Sequence, residues 1–162
     1  MLVTSSKNKQ KVILNDIFKK VKKLTVEQKI LVTDLVDLVL KVPNYHKDYS
    51  SDEIVAWFVN PILLNQYFTI YENNQLAAFL TYGYFDSKIE NKWLTKSVEL
   101  DIEDWTSGAN LWLIDCLAPW GHAVEICNIA RKHVAKHGYA NKKIKFKRIY
   151  RSGKQKISST VI

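Results

Sequence analysis

Asp115 is the one carboxylate in an apolar run, Leu111-Trp112-Leu113-Ile114-Asp115-Cys116-Leu117-Ala118. Taking an ionised carboxylate out of water is costly, so an acid at such a position is paired, protonated or engaged in chemistry. The run reads as a buried strand. Pro119 and Gly121 break it, and a strand end opening onto a loop is a usual place for reactive groups. His46 is the second candidate, in the loop Pro43-Asn44-Tyr45-His46-Lys47 just after a helix end. An imidazole titrates near neutral pH and can take the proton of an attacking amine or hydroxyl. A carboxylate on its other ring nitrogen fixes the tautomer and supports the imidazolium that forms. From the residues alone, His46 is either such a base or a surface-loop histidine. Asp115 is correspondingly its partner or half of a structural ion pair.

Other residue types carry weaker chemistry. Trp112 and Trp120 flank Asp115 and suit either the core or the wall of an acyl or aromatic substrate site. Arg148, on a late strand, suits either a phosphate or carboxylate ligand or a plain edge-strand charge. Strand alternation points Cys116 away from Asp115 and into core packing. His133 and His137 lie four apart among Lys132 and Lys136, a solvated helix face, and no metal-ligand pattern joins histidines to cysteines.

Two longer patterns resemble a known family. Glu103-Asp104-Trp105-Thr106-Ser107-Gly108 precedes Trp112-Leu113-Ile114-Asp115-Cys116-Leu117-Ala118-Pro119-Trp120-Gly121. In the toxin-activating lysine-acyltransferases of the hemolysin-activator type, a Glu-Asp-Trp-x-Ser-Gly turn leads into a Trp-x-Ile-Asp-x-x-Ala-Pro-aromatic-Gly strand. Pro43-Asn44-Tyr45-His46 stands where that family has Ser-Pro-x-His, and Asn65-Gln66-Tyr67 opens the strand after the first helices. The resemblance spans Val42 to Gly121.

It implies that His46 and Asp115 are the catalytic pair and that the fold is similar to the Gcn5-type N-acetyltransferases. The implied reaction moves a fatty acyl group from acyl carrier protein to lysines of a protoxin, with no tightly bound cofactor. The implied setting is cytoplasmic, as a homodimer or with a dedicated partner protein. Pro119-Trp120-Gly121-His122-Ala123 has one glycine where the acetyltransferase fold has a Gly-rich pyrophosphate loop, so coenzyme A is not favoured.

Departures concern the substrate. The family serine falls at Val42 or Pro43, its Asp-Arg at Ala109-Asn110 and its aspartate after aromatic-Gly at His122. The family's C-terminal third is reduced to Lys154–Ile162. Divergent relatives in microcin gene clusters are implicated in joining a modified catecholate siderophore to a microcin peptide. That donor, as an activated siderophore, is the alternative to acyl carrier protein.

The elements that must position these residues follow from composition and periodicity. With 162 residues, 47% of them hydrophobic, the chain is expected to form one globular domain, 1–162, with a basic helical N-terminal extension over 1–41. No apolar run approaches the ~18 residues of a membrane span, and Met1 to Gln10 lacks the apolar core of a secretory signal. Two cysteines make no disulfide framework and read as buried free thiols. The net charge of +8 concentrates between Lys7 and Lys23 and between Lys142 and Lys156. It suits an acidic carrier protein or an anionic donor. Nucleic acid is disfavoured for want of a recognised motif, and a non-catalytic adaptor is the rival outside enzymes.

Helical spacing predicts helices over Asn8 to Leu24, from Thr25 to before Pro43 with Ile30, Leu31, Leu35, Leu38 and Val39 buried, and from Ser51 or Asp52 through Phe58. Thr25 and Gln28 form a capping-box pattern. Gln66 to Glu72 and Gln75 to Phe85 read as a hairpin through Asn73-Asn74. Asp86 to Trp105 is mixed and partly helical, and Asn110 to Ala118 is the central strand. Ala123 to His137 is a helix closed by Gly138. Strands over Lys142 to Arg151 and Lys156 to Val161 end the chain, the last at an edge. The expected fold is α+β, a central and mostly antiparallel sheet flanked by helices.

Overall fold

The computed structural model describes residues 19–41, 53, 55–95, 100–149 and 155–161. Thr25 and Gln28 open helix α1 (Val26–Lys41) as a reciprocal capping box. The Gln28 amide N–H donates to Thr25 Oγ1 at 3.2 Å, and the Thr25 amide donates to Gln28 Oε1 at 3.0 Å, satisfying two donors that a helix start leaves orphaned. Leu31, Leu35 and Leu38 are buried on α1, whereas Ile30 is 56% exposed. The expectation that Ile30 is buried is therefore corrected: at about 100° per residue it falls beside the Leu31–Leu35–Leu38 stripe. The caps expected at Ser51 and Asp52, and the helix before residue 19, lie outside the described residues. Val55–Val59 forms a π turn that runs into a short helix α2 (Asn60–Leu63), with Pro61 in the first turn, where its missing N–H costs nothing.

Strands β1 (Tyr67–Glu72) and β2 (Gln75–Phe85) meet through Asn73-Asn74. Both asparagines have positive φ, 49° and 62°, as a two-residue type I′ hairpin requires. Helix α3 (Ser87–Thr95) follows, begun by Asp86, whose Oδ1 accepts the Ile89 amide at 2.7 Å. A 3₁₀ turn (Ile102–Thr106) leads to β3 (Asn110–Leu117), then helix α4 (Ala123–Val134), a π turn (Ala135–Tyr139), β4 (Lys143–Ile149) and β5 (Gln155–Val161).

The five strands form one sheet in chain order. β1–β2, β2–β3 and β4–β5 are antiparallel, and β3–β4 is parallel. This α+β arrangement, mostly antiparallel and flanked by helices, is consistent with an acetyltransferase-like fold.

The two faces of β2 separate two apolar layers. Phe79 joins Leu31, Leu35, Leu38, Phe58, Ile62 and Leu117, and Phe85 joins Ile89, Trp93, Trp105 and Trp112. Trp57 packs against both groups and meets Trp93 at 5.4 Å between ring centroids. On the other face Ala78 and Leu80 pack with Ile126 and Ala130 of α4, and Tyr82 with Leu111, Val134 and Ile144. Helix α1 thus belongs to the same core as the sheet. β5 is an edge strand, with Ile157 and Val161 exposed.

Candidate active site

Three devices place Asp115. The first is the turn before β3. Trp105 is fully buried, and Ser107 Oγ donates to Asp104 O at 2.9 Å while accepting the Asp86 amide at 3.1 Å. The Gly108 amide donates to Tyr84 O at 2.9 Å. Only glycine fits there: a Cβ at position 108 would stand 2.4 Å from the Asp86 nitrogen and 2.6 Å from the Phe85 carbonyl carbon. The Trp-Thr-Ser-Gly pattern thus fastens the entry of β3 to the end of β2.

The second device is a β-bulge. The β2–β3 register runs Phe79↔Leu117, Leu80↔Cys116 and Thr81↔Asp115, then jumps to Tyr82↔Leu113, leaving Ile114 as the extra residue. Leu111 and Leu113 pack on the α4 side, and simple alternation would send residue 115 after them. The bulge instead brings Asp115 level with Thr81, on the sheet face of Phe79 and Leu117 that α1 and α2 cover.

The third device is hydrogen bonding. The Asp115 amide, displaced from the ladder, donates to Thr81 Oγ1 at 3.2 Å, and Asp115 Oδ1 accepts the Cys116 amide at 2.8 Å. Asp115 is half-buried, not fully buried as its neighbours suggest. Thr81, completely buried, is the positioning residue that sequence reading missed. Its only signal was a threonine between Leu80 and Tyr82 in a largely apolar strand.

The other candidates scatter. His46 lies outside the described residues. Trp112 has no exposed surface, and its Nε1–H donates to Glu90 Oε1 at 2.9 Å. Lys145 Nζ pairs with the same carboxylate and lies 5.7 Å from the Trp112 ring centroid. Trp120 is 51% exposed, in the loop that leaves β3. Arg148 stands opposite Lys156 in the β4–β5 register. Cys116 is exposed and Cys127 half-buried, so the reading of both as core thiols is corrected. His133 and His137 stack at 4.2 Å on the exposed face of α4 and the turn after it.

His122 takes part in a clamp that the sequence did not announce. Its Nδ1 lies 3.3 Å from Glu125 Oε2 and its Nε2 lies 3.3 Å from Glu72 Oε2, joining the start of α4 to the β1–β2 hairpin. Hydrogen bonding to Glu125, then the Glu72 charge, holds the imidazole above its usual range against opposing desolvation.

Two open features border this region. The parallel β3–β4 ladder covers Trp112↔Lys145 and Leu113↔Phe146 and stops at the bulge, while β3 runs on to Leu117. Elsewhere, a surface cleft of about 480 Å³ is lined by Lys19, Lys20, Lys22 and Lys23 against Asp101, Ile102 and Glu103. No helix among the described residues is long and apolar enough to cross a membrane.

A bulge-borne acid at the end of a parallel ladder, in a mixed sheet with helices on both faces, fits an acyltransferase of acetyltransferase-like architecture. Residues 24–160 match the RTX toxin acyltransferase family, HlyC, and the chain belongs to that family of acyltransferases. An uncharacterised protein of Synechocystis, sll0720, is 24% identical over 127 residues, 77% of this chain and 83% of its own length. The leukotoxin-activating lysine-acyltransferase LktC of Mannheimia haemolytica serotype A1 is 33% identical over 79 residues, 48% of this chain and 47% of its own. The protein-lysine myristoyltransferase HlyC of Escherichia coli is 34% identical over 87 residues, 54% and 50% respectively. The match thus spans about half the length of these named lysine-acyltransferases.

Proposed function

We propose that this protein transfers an acyl group from acyl carrier protein to a lysine side chain of a toxin precursor. His46 acts as general base and Asp115 orients it. The observation that carries the reading is the bulge at Ile114, which turns the family-matched aspartate onto the face occupied by α1. The chain leaves that helix at Lys41, five residues before His46. In the reaction the lysine amine attacks the thioester carbonyl, His46 takes the amine's proton, and the carrier thiol departs as the tetrahedral intermediate collapses. Asp115 supports the imidazolium during that interval. Exposed Trp120 provides an apolar contact for the acyl chain or the acceptor, and Trp112 and Arg148 are the further substrate-binding candidates.

The lysine-lined cleft and the net charge of +8 favour an acidic donor protein, whose approach such a field accelerates. A cytoplasmic homodimer, or a complex with a dedicated partner, completes this reading. A second donor class, an activated catecholate siderophore joined to a microcin peptide, is favoured by the absent hydroxyl at Val42-Pro43 and by His122 at the family's aspartate position.

The test is co-expression of wild type, His46→Ala and Asp115→Asn with the toxin precursor encoded nearest to this gene, followed by intact-mass measurement of the precursor. A fatty acyl or siderophore mass increment with wild type, lost in both variants, is expected, and its size names the donor. An increment that survives His46→Ala refutes the assigned base. No increment with wild type, in cells supplying both donors, leaves a binding subunit that has kept the fold without the reaction.

A further inference from the structure

The two cysteines of the chain are neighbours in space although eleven positions apart. Cys116 stands opposite Leu80 in the β2–β3 register, which directs it to the α4 face of the sheet. Cys127, on α4, packs against the cluster of Ala78, Leu80, Ile126 and Ala130 on that face. The Cys127 thiol acts directly on Cys116, holding its thiol above the ordinary range. Neither is in a disulfide, and Cys116 is exposed and Cys127 half-buried, so a small oxidant reaches the pair from solvent.

We propose that Cys116 and Cys127 are an oxidisable dithiol that closes to a disulfide, tying the end of β3 to α4 beside Asp115. A disulfide has an S–S length of about 2.05 Å, and the shared position beside Leu80 puts both thiols on the face where it forms. The oxidant is a low-molecular-weight disulfide of the glutathione class. One protein thiolate attacks it, forming a mixed disulfide and releasing one glutathione. The second protein thiolate then attacks the protein sulfur of that bond and releases the other. Two protein thiols are oxidised, one external disulfide is reduced to two thiols, and the protons balance.

Interaction with the Cys127 thiol, then burial, pushes the Cys116 thiol up from its ordinary value, so Cys116 rests protonated at neutral pH and reacts faster as the pH rises. The consequence reaches the acid directly, because Asp115 Oδ1 accepts the amide of Cys116 itself. Locking Cys116 to α4 fixes the peptide that holds the Asp115 carboxylate, so the redox state of the pair is read at that residue. The proposal does not depend on the donor or acceptor of the acyl group.

The test uses the full chain, reduced, desalted and incubated with oxidised glutathione at pH 7 and pH 8.5. Both cysteines fall in one tryptic peptide, residues 97–131. The expected product is monomeric and has lost both titratable thiols. That peptide is about 2 Da lighter, and more of it forms at the higher pH. Closing a twelve-residue loop raises the midpoint of thermal unfolding by about 5–10 °C, reversed by dithiothreitol. Cys127→Ser stops instead at a glutathione adduct on Cys116. Retention of both free thiols, glutathione adducts on both cysteines, or disulfides between chains as the main product would each overturn the proposal.

Discussion

Thr81→Val tests the reasoning about the site most directly. The substitution keeps the shape of the side chain, adds no charge, and is favoured by both hydrophobicity and strand propensity at a fully buried position. On packing grounds alone it is neutral or stabilising. The hydroxyl, however, accepts the Asp115 amide at 3.2 Å at the point where the bulge removes that amide from the ladder. Valine leaves this half-buried donor unpaired, which costs about 1–3 kcal/mol. Thr81→Ser keeps the acceptor and loses one methyl, about 1 kcal/mol. Urea unfolding followed by tryptophan fluorescence reads the difference. At an unchanged slope, the valine variant is expected to have the lower midpoint of the two, with a thermal midpoint about 3–10 °C below wild type. Because Asp115 is tethered through the same bulge, the valine variant also transfers less acyl group than the serine variant. A valine variant as stable as wild type would falsify the account of the bulge as a polar device held by Thr81.

Gly108→Ala places a methyl within 2.6 Å of backbone atoms of Phe85 and Asp86, which cannot rotate away, and is expected to cost about 1–3 kcal/mol of stability by denaturant unfolding. Gly121→Ala, with nothing within 4 Å of the new Cβ, suffers only its positive φ and serves as the comparison; equal losses would refute the steric argument. Histidine titration by NMR is expected to separate two rings. His122 is held above the ordinary 6.5 by its bond to Glu125, and His133 is held below it by burial and by the charges of His137 and Lys136. His122 therefore contributes stability that is fully present below pH 6.5 and is lost as the pH rises through its raised value. The contribution of His133 is present above pH 6.5 and is lost as the pH falls through its lowered value. Glu125→Gln should bring His122 back toward 6.5, and an unmoved His122 would dismiss the clamp.

What was legible in the chain was local. The Thr25–Gln28 box, the Asn73-Asn74 hairpin and the period-2 strands are set by neighbours within four residues, and each appears where the sequence places it. The mixed segment after Asp86 resolves into a helix because Asp86 caps it and Ile89 and Trp93 share one buried face. Ile30 was misread because apolar character alone does not say on which side of a stripe a residue falls. The devices that define the site are non-local. A bulge depends on what the partner strand opposes, and Thr81 is 34 residues from Asp115. Glu90 gathers the Trp112 indole from 22 residues away and the Lys145 ammonium from 55. No periodicity carries such pairs. Asp115 nevertheless stood out in the sequence as the one carboxylate of an apolar strand, and the structure places it half-buried beside Thr81.

The parallel seam between β3 and β4 also sets an order of assembly. β1 and β2 are joined by two residues, and β4 and β5 by the short segment 150–154, so each pair can close as a hairpin on the microsecond scale. β3 and β4 are separated by residues 118–142, including all of α4, and that larger loop must be closed against its own entropy. The two hairpins therefore close first, and β3, whose connections to β2 (86–109) and β4 (118–142) are both long, joins them late. That strand bears Asp115, so the acid takes up its final setting only when it docks. A chain stopped before Lys143 would keep every residue of the proposed catalytic pair and lack the wall against which they work.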